Sequence, residues 1–184
     1  MHHTLKISML LVSTLVACGG GPAKDTTTAK PMAGDGDMAM QMKMGMAMPT
    51  AESQAVFTKS KDYATWPKFT ENAEPKASKG HMGMFVVTYH NDVVTAAIGA
   101  HTLPLPDGAL IVKENKMKAD EPAHALTIMS KQGGKWYWLE TSPDGSHVIT
   151  MNDMPQEGYD APMCTKCHSD AAANDDVFTH SFAK

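Results

Sequence analysis

The feature that most constrains this chain is the segment from Cys164 to His168, which reads Cys-Thr-Lys-Cys-His and lies near the C-terminus. Two thiols separated by two residues and followed at once by a histidine have the spacing used to attach a haem through its vinyl groups. The chain has only three cysteines, so cysteine abundance does not produce the pattern. The motif predicts one covalent haem c, attached at Cys164 and Cys167, with His168 as the iron ligand.

A cysteine pair of this spacing has other uses. A thioredoxin-like redox pair should open a helix after a strand in a βαβ unit, and the sequence shows no such unit. Half of a zinc site would require two more good ligands nearby. A structural disulfide between the two cysteines stays open as an alternative.

The position of the motif bears on the other face of the iron. Only sixteen residues follow His168, and none of them is methionine. A sixth ligand would therefore have to come from upstream, and the available side chains are His81, His90, His101, His124, His147, Met84, Met129 and Met154. This order favours an open, gas-accessible iron. The alternative is a periplasmic electron-transfer cytochrome with no small-molecule chemistry.

Residues 1–17 have the pattern of a cleaved targeting segment. The apolar run from Ile7 to Ala17 is too short to span a bilayer as a stable helix. It ends in Leu-Val-Ala-Cys, which resembles a bacterial lipobox and predicts acylation at Cys18. Gly19 is not the aspartate that usually retains a lipoprotein at the inner membrane, so we expect the periplasmic face of the outer membrane. An ordinary secretory signal with an incidental cysteine is the alternative.

Residues 18–54 are predicted to form a disordered tether, because they contain almost no large branched or aromatic side chain. Six methionines alternate with small or polar residues between Met38 and Met48. Thioether sulfurs are soft ligands that favour Cu(I), so the segment predicts a weak copper site or a sacrificial trap for oxidants. The alternative is a low-complexity linker with no ligand.

Residues 55–184 are predicted to form the folded domain, of the α+β class and mainly β. We expect an antiparallel sheet with short helices and a C-terminal helical segment that bears the haem. The first element should be a short helix near Lys61 to Pro67 that places Tyr63 and Trp66 on the core. The predicted strands cover residues 82–89, 109–113, 123–131, 135–140 and 147–151.

The charge of the chain excludes one class of function. The formal net charge is −4, and all sixteen basic residues are lysine. A nucleic-acid interface would require a basic face. We therefore expect no nucleic-acid partner, and contact with the membrane only through the lipid anchor.

The order of these motifs over residues 57–183 resembles the cytochrome P-460 and cytochrome c′-beta family. The segments that carry the resemblance are Asp62-Tyr63 with Trp66, Phe85 to Asn91, Pro106 to Gly108, Val112 to Glu114, Met129 to Lys131, Gly134 to Trp138, Cys164 to His168 and Asp176 to Thr179. The resemblance implies a sheet-rich homodimer with its haem motif near the C-terminus.

The two branches of that family imply different activities. In the P-460 branch the lysine of Val-Lys-Glu, here Lys113, is cross-linked to the porphyrin, and the protein oxidises hydroxylamine to nitrogen oxides. Such an enzyme would pass electrons to a periplasmic acceptor. The c′-beta branch keeps an ordinary five-coordinate haem and binds nitric oxide. Whether this chain is an enzyme stays open, and Lys113 as a surface lysine at a strand end is the alternative.

The sequence departs from the P-460 pattern at two places. That branch has an arginine where this chain has about Val86, and no arginine occurs in the chain. Its distal acid–base position falls near Tyr159, with Asp160 adjacent, so these two are the predicted catalytic residues. An unperturbed tyrosine, with a pKa of about 10, is a poor base near neutral pH. Tyr159 as a packing residue is the alternative.

Overall fold

The computed structural model describes residues 43–182, which form one mainly antiparallel sheet of nine strands with three short helices. The strands are β1 Met44–Ala47, β2 Lys76–Ala77, β3 Phe85–His90, β4 Leu110–Lys116, β5 Ala125–Gln132, β6 Lys135–Thr141, β7 Val148–Met151, β8 Met154–Pro155 and β9 Glu157–Gly158. The helices are α1 Ala51–Ser60, α2 Asp92–Ala100 and α3 Pro162–His168. The predicted α+β, mainly β class is confirmed.

The strands lie in the order β1-β7-β6-β5-β4-β3-β2, with β8 beside β7 and β9 beside β6. Strands β3 to β6 form the centre, and neighbours along the chain pair with each other. Gly133 and Gly134, both with positive φ, make the tight turn between β5 and β6. A two-residue turn of this kind matches the twist of the strands that it joins.

The two faces of the sheet are covered by different parts of the chain. Val56 of α1 packs on a cluster formed by Val112, Leu126, Ile128, Tyr137, Leu139 and Val148. The opposite face packs against α2 and the C-terminal segment, in a cluster that includes Val94, Ala97, Ile111, Met129, Trp136, Trp138, Ala161, Val177 and Phe182. Alternation along each strand therefore sends one set of side chains to α1 and the other to the Cys-Thr-Lys-Cys-His segment.

Ordered structure begins earlier than the sequence predicted. Strand β1 and helix α1 both start within the predicted tether of residues 18–54. Strand β1 pairs with β7 through backbone groups, which composition does not reveal. Helix α1 is capped by Thr50, whose side chain accepts a hydrogen bond from the Ser53 amide. The tether prediction is therefore wrong for residues 44–47 and 51–54, while residues 18–42 lie outside the described part of the chain.

The helix expected near Lys61 to Pro67 is only the 3-10 turn Tyr63–Thr65, which follows α1. Tyr63 and Trp66 do pack on the core, as predicted, against the cluster that contains Val56 of α1. The five predicted strands correspond to β3 to β7 with small shifts of their ends. Within residues 43–182, no helix has both the length and the apolar character needed to cross a bilayer. The predicted signal segment and Cys18 lie outside these residues.

Candidate functional site

Helix α3 carries the Cys-Thr-Lys-Cys-His motif. Pro162 occupies its first turn, where a missing amide proton costs nothing. Cys164 and Cys167 lie one turn apart, so their side chains project from the same side of the helix. Both are free thiols, with Cys164 partly buried and Cys167 exposed. The structure therefore does not contain the alternative disulfide between them.

His168 ends the helix and is buried. Its Nδ1 lies 2.7 Å from the carbonyl oxygen of Asp176. A carbonyl oxygen can only accept, so Nδ1 carries the proton and Nε2 keeps its lone pair. Burial lowers the pKa of His168 to about 4, and the imidazole is therefore neutral near pH 7. This is the tautomer that a metal-ligating histidine uses, with its second nitrogen held by a hydrogen bond.

The imidazole of His168 is also fixed by aromatic contacts. The ring of Trp138 packs edge-on with a centroid separation of 4.6 Å, and the ring of Phe178 packs at 5.2 Å. Trp138 comes from the centre of β6, whereas Phe178 comes from the C-terminal segment. Edge-to-face contacts at these separations orient the ring plane.

The turn that accepts the His168 hydrogen bond is anchored to the sheet through Asp175. The Asp175 carboxylate pairs with Lys131 at 2.6 Å and accepts the Leu105 amide at 2.9 Å. The backbone carbonyl oxygen of Asp175 accepts a hydrogen bond from the indole N–H of Trp136, at 2.8 Å. These contacts hold Asp175 and Asp176 in the left-handed backbone conformation. Strands β5 and β6 thereby set the orientation of His168.

A cavity of about 650 Å³ lies between the sheet and the C-terminal segment. Cys167 and His168 line it from α3, and Lys113 lines it from β4. Its apolar wall includes Phe69, Val86, Ile111, Met129 and Val177. The side-chain oxygen of Thr88 also faces this cavity region and is buried without a hydrogen-bond partner among the described residues. A buried hydroxyl left unpaired is a polar group available to a ligand.

The structure brings His81 into the same cavity, beside Lys113. The Lys113 ammonium donates to Nε2 of His81 at 2.9 Å. Burial, and after it the positive charge of Lys113, lowers the pKa of His81 to about 3, so the ring accepts the hydrogen bond as a neutral base. Burial lowers the pKa of Lys113 to about 8. From the sequence, His81 was only one of several upstream histidines. Its contact with Lys113 of β4 could not be predicted, because the two residues are far apart in the chain and no local pattern indicates that they meet.

Sequence reasoning missed Glu140. Thr88, Lys113, Thr127 and Glu140 are successive partners across β3, β4, β5 and β6, so their side chains form one row on the cavity side of the sheet. Glu140 is 6% exposed, and burial raises its pKa to about 7 against the attraction of Lys113. The signal that could have found it is the alternation of β6, in which Glu140 follows Trp136 and Trp138 on one face.

Tyr159 and Asp160 lie elsewhere. They line a second cavity of about 880 Å³ beside the turn between β5 and β6. The Tyr159 hydroxyl donates to Glu52 at 3.1 Å, and desolvation and this carboxylate raise the pKa of Tyr159. The structure does not bring the two predicted catalytic residues to the cavity of Lys113 and His168. Spacing from the haem motif could not show this, because it does not fix the direction from which the chain enters α3.

Comparison of the sequence with protein-family models gave no match, and comparison with curated proteins gave none either. The functional interpretation therefore depends on the motif in α3 and on the geometry around it.

Proposed function

We propose that this protein is a mono-haem c-type cytochrome whose haem is attached at Cys164 and Cys167 and ligated by His168. Its proposed role is to bind or transform small nitrogen oxides on an open iron face. The observation that carries the proposal is the hydrogen bond from Nδ1 of His168 to Asp176, because it leaves Nε2 free to bind a metal. Two free thiols on the same helix supply the attachment points.

The residues around the cavity fit a haem. The apolar side chains named above suit a porphyrin face, and the cavity volume is in the range of cofactor sites, about 300–1,000 Å³. Polar side chains that could meet the propionates line the same cavity, among them Lys76 and His180. The chain has no arginine, so lysine must supply the point charge where other proteins use a guanidinium fork.

A bound haem would supply an iron atom that holds a small ligand and exchanges electrons with it. The cavity wall offers Val86, Ile111 and Met129, which are buried, apolar and uncharged. Nitric oxide is small and neutral, so it needs no charge stabilisation from the pocket. An apolar wall of this kind therefore favours nitric oxide binding as the first candidate function.

Lys113 and His81 favour a second candidate, the oxidation of hydroxylamine. Oxidation of hydroxylamine releases protons, and because the pKa of Lys113 is lowered to about 8, its side chain can exchange protons close to neutral pH. Lys113 is also the position that the family resemblance relates to a lysine–porphyrin cross-link. In this candidate Lys113 tunes the haem, His81 orients Lys113 by accepting its hydrogen bond at Nε2, and a periplasmic acceptor takes the electrons.

The visible spectrum of the ferrous protein, recorded with and without nitric oxide, tests the first candidate. We expect a high-spin spectrum that changes when nitric oxide is added. A low-spin spectrum unaffected by nitric oxide would contradict open-face binding, and its conversion to high spin in His81→Ala would identify His81 as a sixth ligand.

A steady-state assay with hydroxylamine and an artificial electron acceptor tests the second candidate. We expect turnover to be lost in Lys113→Ala and kept in Lys116→Ala, a matched lysine farther along β4. A strongly red-shifted Soret band that reverts only in Lys113→Ala would establish the cross-link. Absence of turnover in the unaltered protein under excess acceptor would exclude the enzyme candidate.

The proposal includes export and acylation at Cys18, which would hold the domain at the periplasmic face of a bacterial outer membrane. It also includes a homodimer, which follows only from the family resemblance. Incorporation of labelled palmitate into the protein and its loss in Cys18→Ala tests the anchor. Label retained by Cys18→Ala would contradict acylation at this residue.

A further inference from the structure

Three methionines lie in one row at the edge of the sheet. Met44 of β1 is the direct partner of Met151 in β7, and Met151 is the direct partner of Met154 in β8. Directly opposed residues of antiparallel strands have Cβ atoms about 5 Å apart and point to the same face. Met46 follows on the same face of β1, opposite Ile149. The sheet therefore places Met44 beside two methionines that lie more than a hundred residues later in the chain.

The other face of β1 explains why methionine alternates with small residues. A Cβ atom on Gly45 would lie 2.8 Å from the Thr150 hydroxyl oxygen, so only glycine allows this approach. Alternation then sends Met44 and Met46 to the opposite face. They are 45% and 68% exposed, and Met154 is 45% exposed, while Met151 is 8% exposed. Three of these side chains therefore contribute little to a core.

The backbone beside this row is held in place. Asn152 and Asp153, with φ of 51° and 62°, form the two-residue turn between Met151 and Met154. The Asn152 amide donates to the Lys43 carbonyl oxygen at 2.8 Å, and the Lys43 ammonium pairs with Asp153 at 2.8 Å. These contacts fix Met44 beside the turn. Methionine side chains are unbranched and flexible, so their sulfurs can converge from a fixed backbone.

We propose that Met44, Met151 and Met154 form a binding site for Cu(I), with Met46 as the fourth thioether within reach. Thioether sulfur is a soft ligand that selects Cu(I). An exported protein also meets oxidising conditions, under which a thioether site persists where thiols would form disulfides. Strands β1, β7 and β8 lie at the opposite end of the sheet order from β3, whose residues line the proposed haem cavity. The copper site therefore does not depend on the haem proposal.

Cu(I) binding to the full chain under anaerobic conditions tests this site. Equilibrium dialysis against a Cu(I) chelator, with copper counted by mass spectrometry, avoids interference from a haem spectrum. We expect one Cu(I) to be retained, with affinity lowered roughly tenfold or more in Met44→Leu and in Met154→Leu. Leucine conserves the volume and apolar character of methionine, and both positions are exposed, so these variants should fold normally.

Met117→Leu is the matched control, because Met117 is 58% exposed and lies outside the row. It should leave the affinity unchanged. Copper-edge X-ray absorption of the loaded protein should show sulfur-only coordination. Unchanged affinity in the triple variant Met44→Leu, Met151→Leu, Met154→Leu would overturn the proposal and assign copper to the methionines before Lys43. Failure of the full chain to retain copper against a weak chelator would overturn it as well.

Discussion

The carbonyl oxygen of Asp176 accepts a 2.7 Å hydrogen bond from Nδ1 of His168, eight residues earlier in the chain. The turn that presents this oxygen is tied to β5 by the ion pair between Lys131 and Asp175. A histidine at the end of a short helix would otherwise be free to rotate or to exchange its tautomer. The hydrogen bond selects the tautomer that the proposed iron ligand requires, and the sheet supports the hydrogen bond.

Replacing Asp175 with asparagine should destabilise the protein strongly. The side chains of Lys131 and Asp175 are 4% and 12% exposed, and the change leaves the Lys131 charge buried without its counterion. We expect the free energy of unfolding, measured by urea denaturation, to fall by about 3–5 kcal/mol. Glu121→Gln is the control, because its ion pair with Lys118 is exposed, and it should cost about 0.5 kcal/mol or less. Equal effects of the two substitutions would contradict this account of the turn.

Glu140 should make the stability depend on pH. Folding raises its pKa from 4.5 to about 7, so the folded protein holds a proton that the unfolded chain has released. The unfolding free energy should therefore fall as the pH rises through this interval, by up to about 3 kcal/mol in total. The unfolding free energy, measured by urea denaturation at about pH 5 and about pH 8, gives this pH dependence. Glu140→Gln should remove the part of the pH dependence that comes from Glu140. The exposed Glu74→Gln should leave the slope as it is, and a slope that persists in Glu140→Gln would contradict the assignment.

Tyr159→Phe and Asp160→Asn should leave the reaction of the ferrous protein with nitric oxide unchanged, because both residues line the second cavity. Thr88→Val should alter it, because the unpartnered Thr88 hydroxyl lies at the first cavity. The rate of nitric oxide release after rapid mixing with a trapping agent measures both effects. A changed rate of nitric oxide release in Tyr159→Phe, together with an unchanged rate in Thr88→Val, would show that the ligand binds in the second cavity.

Strand alternation made most of the sheet predictable from the sequence. The runs around Phe85 to His90 and Trp136 to Glu140 are rich in β-branched and aromatic residues, and the glycine turn at Gly133 and Gly134 marks the hairpin between β5 and β6. Strand β1 was not predictable, since Met-Gly-Met-Ala carries no β propensity and forms a strand only because β7 offers its edge. The pairing partner β7 lies about a hundred residues later in the chain, so the residues around β1 do not reveal it.

The segment from Cys164 to His168 could be selected from the sequence, because its spacing is the one that covalent attachment of a haem would require. Lys113 was found through family resemblance, and the structure places it in the same cavity as His168. The contact of Lys113 with His81 and the row that ends at Glu140 depend on strand register and on a loop. Strand register and loop contacts are long-range relationships, and no local pattern gives the partners of Lys113 or of Glu140, although the alternation of β6 indicates the face on which Glu140 lies.

The intact mass of the purified protein under denaturing conditions tests the central claim most directly. The protein should be produced in a bacterium that assembles c-type cytochromes, so that a covalent haem can form. We predict a mass increased by one haem that survives unfolding and disappears in the double variant Cys164→Ser, Cys167→Ser. A mass without haem in the unaltered protein, or a haem retained by the double variant, would contradict attachment at α3.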